Sequence, residues 1–369
     1  MSWHELLGPM HRLPQPAALD VWFASLRSHG EESSFRLAVL GGRLAATPGL
    51  AFLAGYQAAL RQLWPAAPEG LGAMCATENR ALRPADMQTR VDGLSLTGRK
   101  DFVIAGSAAS WLLVPARDEA PGERPRLSLC VVNSGERGVI VEAGPLLPLL
   151  QDIPHGRLRL EQAACRRLVG DGWDDYVKPF RTLEDVHVLA ALASWLYGIG
   201  LDCGWPQQLQ LRLLGLLAGA AEVSRLPPTE PATHLLLASL NLQLATLSDE
   251  VDEALAVGPQ AVAAALAARP RRAATCARGS GQASGSGCCS LRTDARPKSG
   301  VIISWRQRGN SLWRREPIQA CRMARFGIYR FRDARDGAHP ALTRTRISMH
   351  SSCIATTARH AAHLGCVLS

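Results

Sequence analysis

The stretch Thr89-Arg90-Val91-Asp92-Gly93-Leu94-Ser95-Leu96-Thr97 decides the fold. Two short runs, Thr89–Val91 and Leu94–Thr97, flank Asp92-Gly93. Glycine accepts the positive φ of a tight turn at little cost, so the pair closes a β-hairpin. Before it, Leu71–Thr77 is a short apolar run. After it come Asp101–Ile104, Trp111–Ala116, Leu127–Val132, Val139–Glu142 and Arg157–Glu161, separated by turns rich in Gly, Pro, Asp and Asn. Short strands at near-regular spacing predict a small β-barrel or sandwich over residues 70–172.

On both sides of this region the pattern turns helical. In residues 1–69, Leu19, Val21, Trp22 and Leu26 mark one face of a helix within Ala18–Arg27. Ser34–Leu63 is a long Ala- and Leu-rich segment, predicted to be divided in two at Gly41, Gly42 and Pro48. Beyond Gly172, Leu183–Cys203, Gln207–Val223 and Pro231–Leu247 are strongly apolar, with Pro206 and Pro227-Pro228 as breaks, and Asp249–Ala256 begins a fourth segment. Helices, then strands, then helices predict an α+β chain of separately built layers. These are N-terminal helices (1–69), a central β-barrel or sandwich domain (70–172) and an incomplete C-terminal helical bundle (173–257).

Residues 258–369 form an irregular basic tail. They carry 19 of the 41 Lys+Arg and 4 of the 32 Asp+Glu, a charge of +15 that leaves the rest at −6. The formal net charge of +9 is therefore a property of the tail, and the body is mildly acidic. The tail has no sustained period, and its Arg, Ala, Ser, Gly and Cys enrichment is what a GC-rich coding sequence gives in the wrong frame. It is expected to be disordered or non-native. Its arginines belong to no recognisable nucleic-acid module, so no nucleic-acid partner is expected. His360, His363 and Cys366 have metal-like spacing but no second ligand cluster, so no metal is expected either.

Cys75, Cys130, Cys165 and Cys203 are scattered singly through the body and read as buried thiols in a reducing compartment. The first residues lack the charged start and apolar core of a signal peptide. The most apolar run, Val188–Gly200, is about 13 residues against the roughly 20 that a membrane span needs. A cytoplasmic protein outside the membrane is the expectation.

Cys75-Ala76-Thr77-Glu78, the hairpin, and Leu96-Thr97-Gly98-Arg99-Lys100-Asp101-Phe102-Val103-Ile104-Ala105-Gly106 occur in an order and spacing that resemble the middle domain of the acyl-CoA dehydrogenase family. Gly170-Asp171-Gly172-Trp173 resembles the loop leading into that family's C-terminal helices. The resemblance covers about residues 35–257 and is strongest over 71–172. It implies a flavoprotein that binds FAD and removes two hydrogens from an acyl-CoA-type thioester, an oxidoreductase acting on a CH–CH group. It also implies fatty-acid metabolism, a homo-oligomer and an electron acceptor that it does not identify. The alternative reading is a catalytically inactive homologue that keeps the fold as a binding or assembly subunit.

Carried over by position, Met74, Ala76 and Thr77 would line the pyrimidine side of the flavin ring, and Phe102, Val103 and Ile104 the other side. Ordinary strand-end and core packing is the alternative for these residues. Proton and hydride must leave the substrate from opposite faces, so a carboxylate is needed across from the flavin. Leu183-Glu184-Asp185 falls where some members carry that base, which makes Glu184 the catalytic candidate. The alternative is an acidic first turn complementing the helix dipole. The chain departs from the family at three places. Asn79–Asp86 has no glycine, Ile104 stands where a hydroxyl residue is common, and the helical region lacks an Arg-x-x-Phe-Gly motif. His155, after Pro154, reads as a surface turn residue, and His187 as a core histidine.

Overall fold

The computed structural model describes residues 1–79, 84–144, 147 and 150–256. The basic tail, with His360, His363 and Cys366, and residues 80–83 of the altered loop lie outside the described residues. Four helices open the chain: α1 (Trp3–Leu7), α2 (Leu19–Arg27), α3 (Ser34–Leu44) and α4 (Pro48–Leu63). Ser33 caps α3 by accepting the Arg36 N–H, and Thr47 caps α4 by accepting the Leu50 N–H. Pro48 at the first position of α4 loses an N–H that would have had no partner anyway.

The predicted division of Ser34–Leu63 is made at Thr47-Pro48 alone. Gly41 and Gly42 stay helical because they serve close approach. A Cβ on Gly42 would overlap the Ala191 carbonyl and the Ser194 hydroxyl, and one on Gly41 would overlap Ala54.

The middle of the chain is one eight-stranded sheet. Its strands are β1 (Gly72–Met74), β2 (Arg90–Asp92), β3 (Ser95–Ile104), β4 (Trp111–Arg117), β5 (Leu127–Asn133), β6 (Val139–Ala143), β7 (His155–Ala164) and β8 (Arg166–Arg167). The order is β6-β7-β3-β2-β4-β5-β8, with β1 parallel beside β4. β8 continues β7 past Cys165, so one length of chain pairs with β3 at its start and with β5 at its end. That curls the sheet round on itself, as the barrel expectation requires. The expected strands at Leu94–Thr97 and Asp101–Ile104 are a single bulged strand, β3, with register shifts at Leu96/Gly98 and Lys100/Val103. β8 has no sequence signal of its own; the return of β7 to β5 creates it.

A π-helical turn, Gly172–Val177, leads into α5 (Lys178–Cys203), followed by α6 (Gln207–Val223) and α7 (Pro231–Thr246). Residues 248–256 are again helical. α5 is the central beam: Phe180 packs edge-on against Tyr56, His187 against Phe35, and Ser194 donates to the Val39 carbonyl at 2.9 Å. With its π turn it is long and apolar enough to cross a membrane, yet 72% of its apolar window is buried by the rest of the protein. It has the surroundings of a core helix.

Candidate functional site

The end of β1 and the end of β3 meet. Met74 lies opposite Leu113 of β4, and the Cys75 N–H extends the ladder to the Leu113 carbonyl at 2.8 Å. The chain then crosses to β3, where the Asp101 N–H donates to the Thr77 carbonyl at 2.8 Å. Met74, Ala76 and Thr77 are thereby set beside Phe102, Val103 and Ile104, so the two groups read from the sequence form one neighbourhood. Their side chains differ in what they can offer. Ala76 and Phe102 are half-buried, Met74, Thr77 and Ile104 are buried, and Val103 is wholly enclosed in the core. Strand alternation accounts for the difference, since Phe102 and Ile104 project to one face and Val103 to the other. Val103 could meet a ligand through its backbone only. The Thr77 hydroxyl makes no hydrogen bond to another described residue.

Beside this neighbourhood lies a buried ion pair. The Lys100 ammonium donates to Glu78 Oε1 at 2.5 Å and to the Pro115 carbonyl at 2.8 Å. The Glu78 carboxylate also accepts the N–H of Gln88 at 2.6 Å and of Thr89 at 3.2 Å. Burial pushes the Glu78 carboxyl up, but Lys100 and these donors outweigh it and hold it below the usual carboxylate value. Gly98 is part of the same build. Its φ of +152° and its contact with Thr89 leave no room for a Cβ. The glutamate of the Thr-Glu pair and the glycine and lysine of the Gly-x-Lys stretch therefore have a structural task in closing the barrel.

Glu184 lies on α5 one turn after Phe180. The Phe180 ring packs on Tyr56, whose hydroxyl accepts the Met74 N–H at 2.8 Å. A short chain of contacts thus runs from β1 to the start of α5. Glu184 is half-buried and hydrogen-bonds to no described residue. Burial pushes its carboxyl up to about 8, and the neighbouring Asp185 adds to the shift. His187 is fully buried, and its Nδ1 bonds the Leu183 carbonyl at 2.7 Å. Burial lowers its pKa to about 4, as befits a neutral core histidine.

The expectation for His155 is overturned. It begins β7, is 3% exposed, and pairs across the strands with Ile104. Burial lowers its pKa and outweighs a hydrogen bond with the Ile153 backbone that raises it. Pro154 suggested a turn; the Gly144 N–H bonding the His155 carbonyl at 2.8 Å instead starts the ladder there. No signal in the single sequence marks this histidine.

A cavity of about 550 Å³ opens where α4, the π turn, α5 and the α6–α7 loop meet, lined among others by Gln62, Asp174, Asp175, Leu183 and Arg225. None of the predicted cofactor residues lines it, and Glu184 adjoins it only through Leu183. Among the described residues no group of three or more His, Cys, Asp or Glu is placed to hold a metal ion.

No family model matches the chain, and no curated protein matches its sequence. Solved structures do match. The prolyl acyl carrier protein oxidase AnaB is 16% identical, with 66% of this chain and 81% of that chain covered, at a TM-score of 0.50. Butyryl-CoA dehydrogenase from Megasphaera elsdenii is 14% identical over 65% of this chain and 76% of that chain, at 0.47. Dibenzothiophene monooxygenase from Paenibacillus sp. A11-2 is 16% identical over 68% and 79%, also at 0.47. With its N-terminal helices, curled sheet and C-terminal helices, the chain has an acyl-CoA dehydrogenase-like fold.

Proposed function

We propose that this protein is a flavoprotein that binds FAD where β1 and β3 meet and dehydrogenates an acyl-CoA-type thioester. The observation that carries the reading is the Asp101–Thr77 hydrogen bond, which sets the two predicted ring-lining groups side by side. The residues fit a flavin ring. Phe102 and Ala76 offer half-buried apolar surface, and Thr77 adds a hydroxyl at the same junction. The pyrophosphate would have to be held without the glycines that the family places after Thr-Glu.

Bound FAD would supply the hydride acceptor. The protein's own part falls to Glu184 and the walls. A carboxyl raised to about 8 holds its proton at neutral pH, so Glu184 acts as a base only once ionised. It would then take the proton next to the thioester carbonyl from the face opposite the ring. A homo-oligomer belongs to the same reading, and exposed Leu211, Leu235, Leu236 and Leu242 on α6 and α7 provide apolar surface for it.

The test is anaerobic addition of an acyl-CoA to the FAD-loaded protein. Bleaching of the visible flavin spectrum, lost on Glu184→Gln, supports the reading; an unchanged spectrum with a series of acyl chain lengths removes it. One observation favours the second reading, an inactive homologue used for binding or assembly. Glu78, Gly98 and Lys100 are explained by the barrel alone, and the Tyr56 hydroxyl already takes the Met74 N–H.

A further inference from the structure

Two cysteines meet at the seam where the barrel closes. Cys130 lies in the middle of β5 and is fully buried. Cys165 stands at the corner between β7 and β8, half-buried, its N–H donating to the Leu94 carbonyl at 2.9 Å. The closing ladder pairs Cys130 with Arg167 and Val131 with Arg166. Side chains alternate along a strand, so Cys165 shares a face with Arg167 and therefore with Cys130. Both stand as thiols, and the Cys130 S–H donates a hydrogen bond to the Cys165 sulfur. The two differ in reactivity. Accepting that hydrogen bond, with help from the Arg167 guanidinium, lowers the Cys165 pKa against its burial. Donating it raises that of Cys130, and burial adds to the rise. The thiolate is the nucleophile, so Cys165 is the member that attacks an oxidant, and it is also the one that an oxidant can reach.

We propose that Cys130 and Cys165 form an oxidation site, at which hydrogen peroxide converts the two thiols into a reversible disulfide that fastens β5 to the β7–β8 corner. The inference does not depend on a bound flavin. The Cys165 sulfur bonds to one peroxide oxygen as the O–O bond breaks, giving a sulfenic acid, and the other oxygen leaves with the thiol proton as water. The Cys130 sulfur then bonds to the Cys165 sulfur. The S–O bond breaks, and the hydroxyl leaves with the Cys130 proton as a second water. The two thiols are oxidised by one electron each, and the peroxide is reduced to two waters. Cys130 needs no access to solvent for this, because its partner is already hydrogen-bonded to it. A thiol reductant reverses the bond by exchange. The cross-link has a mechanical consequence. β8 is two residues long, so the seam is a short ladder, and the bond would join positions about 35 residues apart in sequence.

The experiment is a peptide map of the full chain. The folded protein is reduced, freed of reductant and treated with hydrogen peroxide; remaining thiols are then alkylated and trypsin is applied without reductant. Cleavage after Arg126, Arg137, Arg159 and Arg166 puts Cys130 in peptide 127–137 and Cys165 in peptide 160–166. The expected result is these two peptides joined, lighter than their sum by two hydrogen atoms, and separated again by dithiothreitol. In Cys130→Ala the Cys165 sulfenic acid should persist and be trapped by dimedone, whereas in Cys165→Ala the buried Cys130 should stay reduced. Oxidation should raise the melting temperature of the parent by several degrees, because the closed loop restricts the unfolded chain, and should leave both variants where they were. A map in which both peptides remain alkylated, or in which Cys165 joins a different cysteine, overturns the inference. So does a linked pair that forms only in urea. An unchanged or lower melting temperature of the linked parent rejects the fastening role.

Discussion

Glu78 and Lys100 form a fully enclosed ion pair, 2.5 Å apart, that ties the end of β1 to the middle of β3. Each partner is further hydrogen-bonded, Lys100 to the Pro115 carbonyl and Glu78 to the Gln88 and Thr89 N–H groups. Removing one partner leaves the other as an uncompensated buried charge. Lys100→Met or Glu78→Gln is therefore expected to cost about 3–5 kcal/mol. The double substitution should cost clearly less than the sum. Chemical denaturation of the three variants measures this, and additive losses would speak against a coupled pair. The pH dependence has a definite sign. The Glu78 pKa is depressed in the fold, so its stabilisation is present above the ordinary carboxylate value of 4.5 and is lost as pH falls through the folded value. Glu78→Gln should flatten that acid limb.

Glu184 titrates in the opposite sense. Its pKa is raised from 4.5 to about 8, so the fold prefers the protonated acid. Below pH 4.5 both states hold the proton and nothing is lost. As pH rises towards 8 the unfolded chain ionises first, and folding stability falls until the penalty is complete above 8. Glu184→Gln removes the penalty and is expected to raise the melting temperature increasingly between these limits. After discounting for partial exposure, the gain is about 1–3 kcal/mol. If Glu184 is the base, kcat/KM of the parent should rise with pH to a midpoint near 8, and the variant should lose about 10²–10⁴ of its rate. Melting curves and pH–rate profiles on one pair of proteins check both.

Gly42 sets how closely α3 approaches α5. Gly42→Val would drive its side chain into the Ala191 carbonyl, which is backbone and cannot swing aside. Overpacking of this kind costs about 1–3 kcal/mol. The melting temperature should fall by several degrees; an unchanged value would mean that the two helices are not held in this contact.

The sequence made the layers legible because each has its own period. Alternation and Asp92-Gly93 give the hairpin, and long apolar segments with proline breaks give α4 to α7. Contacts between distant segments were not legible. Gly41 and Gly42 look like a helix break, but they are the flat side of α3 that receives Ala54 and Ala191. β8 is two residues long and exists only because β7 returns to β5. Pro154 makes His155 look exposed, whereas its pairing with Ile104 buries it. At the candidate site, Met74–Thr77 and Phe102–Ile104 could be placed from local motifs. Which of them present side chains could not, because that depends on the bulge between Lys100 and Val103.

The assignment as a flavoprotein turns on whether the junction of β1 and β3 takes up FAD. The direct measurement is FAD binding to the purified full chain, read as visible flavin absorption that travels with the protein through gel filtration, beside Thr77→Val. The expected result is flavin retained by the parent and retained about 10-fold more weakly by Thr77→Val, which loses one buried polar contact and little shape. A parent that remains colourless after incubation with excess FAD, while folded and melting cooperatively, would contradict it and leave the fold serving binding or assembly alone.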